Sequence, residues 1–341
     1  ILLLLFQENC SVAHITRLIS HLLDLAIRSN QNASLLRLVS KLETTLMNRP
    51  SKVGQFMRVF FYLKVNINFL VISFGGKMCR WMAYAGDEVY LENLLFLQKN
   101  SLISQSLKAT RSNFVTNGDG FGVAWYGERD SPGLFKDTLP AWNDENLRDL
   151  CKHVKSKLFF AHVRATTGTS VSRMNCHPYA FENWSFMHNG HIGDWQIHRR
   201  EIESHISKEF YNHRQGTTDS EALFLLALTL GLTDDPIKGM TLALKKVGEI
   251  LERHESADPL RLTAALSDGK SIWAFRHSTD NNSPSLFYGT PDTHEIPLKA
   301  GYVSTIASEP FDDHLDHWVE VQESSYIIWK EGQVSVNVLP I

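Results

Sequence analysis

Cysteine is scarce: Cys10, Cys79, Cys151 and Cys176 are the only four in a chain of 341 residues. They are too few and too scattered for a disulfide framework, so a reducing cytoplasm is the expected compartment. A surplus of positive charge is also missing. Lys+Arg number 34 against 37 Asp+Glu, a formal net charge of −3. Phosphate binding usually shows as a basic excess, so no nucleic-acid partner is expected. The mostly apolar stretch 59–74 is broken by Lys64, Asn66 and Asn68. It is short of the ~20 residues a bilayer-spanning helix needs, and no membrane partner is expected. Internal repeats and low-complexity tracts are absent. What is plentiful is apolar: hydrophobic residues make up 43% and charged residues 21%, the balance of a globular protein with ample core.

Turn residues and tryptophan are missing from the beginning of the chain. Before Met78 there are only three of the 20 glycines and one of the 11 prolines, and all eight tryptophans come later. Charge changes sign at the same place: residues 1–77 carry nine Lys+Arg and three Asp+Glu, a balance of +6, and the remainder carries −9. Two pieces are expected, 1–77 and 78–341, with separate cores. For the first, a membrane anchor and a helical appendage (14–46 has helical spacing of Leu and Ile) compete with a third reading. The chain starts with Ile, and Gly75-Gly76-Lys77-Met78 resembles a translated ribosome-binding site and start codon. On that reading, preferred here, 1–77 is a mis-assigned upstream or non-native extension.

From Met78 onward, strands are expected at 79–85, 121–126, 158–163, 185–188, 262–267, 271–276, 302–307, 325–329 and 334–339. Helical or turn-like segments are expected at 92–97 and 101–107, and helices at 143–155, 218–230 and 236–254. Thr218 and Glu221 suit a capping box. Asp268-Gly269 marks a hairpin. Strands in hairpins together with long helices point to an α+β design.

If Met78 initiates translation and is removed, Cys79 carries a thiol and a free α-amine. The amine titrates near ~8 and the thiol near ~8.5, so one can take the other's proton close to neutrality. That makes one residue both nucleophile and base. Acyl transfer also needs donors for an oxyanion, and Asn189 (side-chain amide) and Gly190 (backbone N–H) offer them. Arg164, at the exit of a strand, can present its fork to a carboxylate. Asp219, opening an apolar helix, can meet an ammonium. Taken singly, each has a plainer reading: a buried cysteine, an Asn-Gly turn, a first-turn acid complementing the helix dipole.

Taken together, Met78-Cys79-Arg80, Gly118-Asp119-Gly120-Phe121-Gly122, His162-Val163-Arg164-Ala165-Thr166-Thr167-Gly168, Asn175-Cys176-His177-Pro178, His188-Asn189-Gly190 and Thr218-Asp219-Ser220-Glu221 resemble, in order, a class II glutamine amidotransferase domain. Ser101-Leu102-Ile103, Gln105-Ser106 and Ala307-Ser308-Glu309-Pro310 are similar to segments of its stand-alone members. The resemblance covers nearly all of 78–341. It implies a four-layer αββα N-terminal nucleophile hydrolase fold with two stacked antiparallel sheets. It also implies Cys79 as nucleophile with its amine as base, and Asn189 and Gly190 as the oxyanion hole. Arg164 and Thr167 would hold the substrate α-carboxylate, Asp219 the α-ammonium, and His177 would line the pocket. The implied reaction is hydrolysis of a γ-glutamyl amide, glutamine or a γ-glutamyl compound, through a thioester and without a metal or other cofactor. An ammonia-accepting partner protein is the alternative destination for the nitrogen.

Three other readings compete. Cys176, beside His177, is a second possible nucleophile, although neighbours on a strand face opposite ways. His162, His177, His188 and His191, with Asp219 or Glu221, are a conceivable metal set without metal-ligand spacing. A non-catalytic binding protein follows if 1–77 is retained and blocks the amine.

Overall fold

A computed structural model describes residues 79–107, 117–165, 169–292, 302–312 and 314–341. The chain divides between Gly75 and Gly76, and every described residue belongs to the second unit. The expectations for 1–77, including the helical spacing of 14–46, lie outside the described residues, as does Thr167.

The chain runs β1 (Arg80–Tyr90), α1 (Glu92–Leu95), α2 (Leu102–Leu107), β2 (Phe121–Tyr126), β3 (Gly133–Asp137), α3 (Glu145–His153) and β4 (Lys155–Val163). It continues with β5 (Tyr179–Phe181), β6 (Trp184–His191), α4 (Trp195–Ser204), α5 (Lys208–Tyr211), α6 (Asp219–Thr229) and α7 (Pro236–Arg253). The last part is strand: β7 (Arg261–Ser267), β8 (Ile272–Ser278), β9 (Phe287–Gly289), β10 (Thr305–Ala307), β11 (Trp318–Glu320), β12 (Ser325–Lys330) and β13 (Gln333–Val338).

These strands build a seven-stranded sheet, β11-β9-β10-β1-β4-β2-β3, and a six-stranded sheet, β13-β12-β8-β7-β6-β5. The paired strands run antiparallel. β1 and β4 are central and covered on both faces, so much of each reads as an unbroken apolar run. Trp81, Phe160, Met187, Ala265 and Ile327 fill the space between the sheets. Met82, Tyr84 and Phe159 pack outward against Leu94, Leu102 and Leu147 of α1, α2 and α3. On the far side, Phe186 stacks on Phe224 at 5.1 Å, within a core supplied by α4, α6 and α7. The layers are therefore helix, sheet, sheet, helix, as the motifs implied.

α6 is apolar all round because it is enclosed, with every residue from Ser220 to Leu228 buried. Thr218 caps it by accepting the Glu221 N–H, but only half of the capping box forms. The Glu221 carboxylate instead takes the N–H groups of Gln215 and Gly216 and pairs with Arg214 at 2.8 Å. A second departure concerns Asn189-Gly190. The pair is not a turn after a strand; it lies inside β6, opposite Thr263 and Leu262 of β7. Gly190 has φ 138°, and a Cβ there would run into the Arg261 carbonyl, so glycine lets the two backbones close up.

Candidate active site

The site lies where the ends of both sheets meet. Trp81 points into the inter-sheet core, so by the two-residue period of a strand Cys79 points the same way. The ladder of the seven-stranded sheet runs on past its formal ends: the Arg164 N–H donates to the Gly120 carbonyl at 2.8 Å, and the Asp119 N–H to the Arg164 carbonyl at 3.1 Å. On its other side β4 pairs with β1, Val163 opposite Arg80, so Arg164, just beyond β4, lies beside Cys79, just before β1. The Ala165 N–H donates to Cys79 Sγ at 3.4 Å, and the thiol lies 3.6 Å from the Ala165 carbonyl.

In the other sheet, Met187 belongs to the inter-sheet core, so Asn189, two residues on, faces β1. Thr263, its partner across β7, accepts the Trp81 indole N–H at 3.3 Å, tying the sheets together there. Asn189 is buried, and its Oδ1 has no hydrogen-bond partner among the described residues. His188 faces the other way and meets Ser220 Oγ of α6 at 2.8 Å. One residue before Ser220, Asp219 accepts the Ile192 N–H at 2.8 Å and the Ser220 N–H at 2.8 Å.

Charge converges on the sulfur. Burial pushes the Cys79 thiol above its ordinary range; the Ala165 backbone hydrogen bond and the Arg164 and Arg80 cations pull it back, and the Asp219 carboxylate adds to the rise. The thiol thus sits in the fields of both Arg164 and Asp219. The buried Arg164 guanidinium donates to Thr169 Oγ1 at 2.6 Å and to the carbonyls of Ser170 and Asp119, both at 3.3 Å. Behind Cys79, Arg80 pairs with Glu309 at 3.5 Å, joining two of the sequence motifs.

Three histidines are buried nearby, His188 on the helix side of β6 and His162 stacked with His177. The His162 and His177 rings lie 4.2 Å apart between centroids, and a His162 ring nitrogen sits 3.3 Å from the His188 carbonyl. Both His177 nitrogens are buried without a partner among the described residues. Burial pushes His162 down to about 3, His177 well below the usual histidine range, and His188 down as well. The three are neutral near pH 7.

Of the residues singled out in the sequence, the structure brings Cys79, Arg164, Asp219, Asn189 and Gly190 to one end of the sheets and stacks His177 on His162. Cys176 is sealed off: it is fully buried and its thiol is engaged by the carbonyls of Asp137 and Ser172. The strand objection to it does not apply, because Cys176 and His177 lie in a loop after a short 3-10 turn; burial is what removes it. Two of the proposed metal ligands are otherwise engaged, His191 with Asp258 at 3.1 Å and Glu221 with Arg214. Among the described residues no three His, Cys, Asp or Glu side chains come together as a metal-ligating group.

Sequence reasoning missed Asn175 as a brace. Its amide donates to Ser170 and Thr217 and accepts the Thr217 N–H at 2.8 Å. It thereby links the segment holding Arg164 to the segment that leads into Asp219. Its place in Asn175-Cys176-His177-Pro178 was visible; the contact, across 42 residues, was not.

Residues 93–287 match the profile of the family Glutamine amidotransferases class-II. The chain is similar to the "Probable glutamine amidotransferase DUG3" of Saccharomyces cerevisiae, with 33% identity over 300 residues, 76% of this chain and 84% of the yeast protein. Among solved structures it is similar to a glutamine aminotransferase class-II domain protein from Silicibacter pomeroyi, with 34% identity and a TM-score of 0.59, over 76% of this chain and 99% of that one. Glutamine phosphoribosylpyrophosphate amidotransferase from B. subtilis shares the fold, with a TM-score of 0.51 at 16% identity, over 77% of this chain and 49% of that one.

Proposed function

Since the chain belongs to the class II glutamine amidotransferases, we propose that it hydrolyses a γ-glutamyl amide bond with Cys79 as its mature N-terminus. The observation that carries this reading is the Cys79 thiol, held against Ala165 within the fields of the Arg164 cation and the Asp219 anion. A γ-glutamyl group ends in an α-carboxylate and an α-ammonium. Arg164, with Thr167, suits the first and Asp219 the second.

The raised thiol keeps its proton at rest, so attack needs a base. The α-amine of the same residue takes that proton as sulfur bonds to the γ-carbonyl carbon. The resulting oxyanion is met by the Asn189 amide and the Gly190 N–H. Collapse breaks the carbon–nitrogen bond, the ammonium returns its proton to the leaving nitrogen, and a γ-glutamyl thioester remains. Water, deprotonated by the amine, then releases glutamate and restores the thiol. His177, neutral and buried, shapes the wall and moves no proton. Residues 79–341 are the working unit on this reading, in a reducing compartment that keeps the thiol free.

The test compares glutamine with γ-glutamyl peptides as substrates for protein beginning at Cys79. Turnover of at least one is expected. Cys79→Ala should abolish it, and Cys176→Ala should leave it nearly intact. Activity that survives Cys79→Ala would overturn the reading.

A further inference from the structure

β13 is the outer strand of the six-stranded sheet. The other three sheet edges among the described residues are blunted: β5 and β11 are three residues long, and β3 carries Lys136 and Asp137. Edges are commonly kept short or charged because a row of open N–H and C=O groups recruits another strand. β13 has neither protection. Its six residues, Gln333-Val334-Ser335-Val336-Asn337-Val338, include no ionisable side chain and no proline.

The hairpin fixes which backbone groups are open. β12 turns into β13 through Glu331 and Gly332, at φ 52° and 81°, with Lys330 opposite Gln333. In a two-residue hairpin the flanking residues exchange backbone hydrogen bonds, and the pattern then alternates. Gln333, Ser335 and Asn337 therefore bond inward to β12, while Val334, Val336 and Val338 turn their N–H and C=O groups to an edge that no described strand covers. The three valine side chains share one face. Val334 packs on the inter-sheet core, and Val336 lies opposite Ile327, which is buried in it. Further along, the row leaves that core: Val336 is 42% exposed and Val338 79%.

We infer that β13 pairs antiparallel with β13 of a second copy of this chain, about a twofold axis at Val336. In that register Val336 faces its own counterpart, Val334 faces Val338, and Ser335 faces Asn337. Every open valine N–H and C=O meets a partner, the apolar row meets an apolar row, and no like charges are opposed. Centring on Ser335 instead would set Val338 opposite Gly332, and centring on Asn337 would set Val334 opposite Pro340, so only the axis at Val336 gives all three valines a valine partner. A strand without charge gives an acidic or basic peptide nothing to recognise, whereas it complements itself, as a twofold contact requires. The pairing joins the two copies' sheets into one and extends the apolar cover over Val338.

Sedimentation velocity on the full chain across the micromolar range tests this. Wild type should dimerise in a concentration-dependent way. Val336→Lys and Val336→Glu should each weaken association at least about 100-fold, because like charges then meet on the axis. Mixed in equal amounts, the two variants should dimerise again, which a merely structural defect would not allow. An unchanged unfolding midpoint and far-UV circular dichroism spectrum would show both variants folded. Wild type that stays monomeric throughout, a dimer indifferent to Val336→Lys, or a mixture of variants that fails to associate would overturn the inference.

Discussion

Asp219 does two things that one substitution can separate. Its carboxylate receives the Ile192 and Ser220 N–H groups, which places the start of α6 against the end of β6. It also carries the negative charge proposed to hold a substrate ammonium. Asp219→Asn keeps an acceptor oxygen and removes the charge. KM should rise by roughly 10- to 100-fold, the worth of a charged hydrogen bond, with kcat much less affected. A KM within twofold of wild type would detach Asp219 from the substrate. The same residue shows how a sequence reading divides. A first-turn acid was legible, as was its motif, but its bond to Ile192, across 27 residues, had no local signal. Thr167 was placed beside Arg164 by motif alone and lies outside the described residues.

At the scale of elements, Gly122 in β2 decides how closely the seven-stranded sheet approaches the His177 loop. A Cβ there would strike the His177 carbonyl and crowd the Lys136 stem at 2.9 Å. The neighbour that must yield is backbone, so the loop bearing His177 has to move. Gly122→Ala is expected to cost about 1–3 kcal/mol through overpacking and to lower turnover. Chemical denaturation and a rate assay check this; a variant as stable and active as wild type would mean that the approach is dispensable. Elements were legible where burial imposed a pattern. β2 was expected at its observed bounds, and α6, α7 and the β12–β13 hairpin within a residue or two. Short strands were missed, because β5, β9 and β11, at three residues each, cannot show a period. α4 was missed because its stripe is blurred: His198 is buried where an apolar residue would signal a helix, and Ile197 is 75% exposed. Asn189-Gly190 read as a turn because its chemistry favours one; pairing with β7 kept it in a strand.

For the whole molecule, three buried histidines set an acid limit. His162, His177 and His188 are all held below their ordinary range, chiefly by burial. In the unfolded chain they accept protons near pH ~6.5. Below that pH the unfolded state binds more protons than the folded one, so stability is complete above ~6.5 and is lost as pH falls toward the folded values. Each fully depressed histidine contributes up to about 1.4 kcal/mol per pH unit in that window. The urea midpoint should fall steadily between pH ~6.5 and ~4.5, before most carboxylates titrate. A flat midpoint over that range would mean that these rings do not stay neutral in the folded protein.

The four-layer architecture was legible because six motifs in order carried a family resemblance; periodicity by itself reached only α+β. The dependence of the chemistry on a free terminus at Cys79 is the claim to which everything else is attached. Intact-mass measurement of catalytically active protein, coupled to a γ-glutamyl hydrolysis assay, tests it most directly. The expected result is that activity belongs to chains beginning at Cys79 and disappears when a single residue is left in front of it. Full activity in chains that still carry the preceding residues would contradict it.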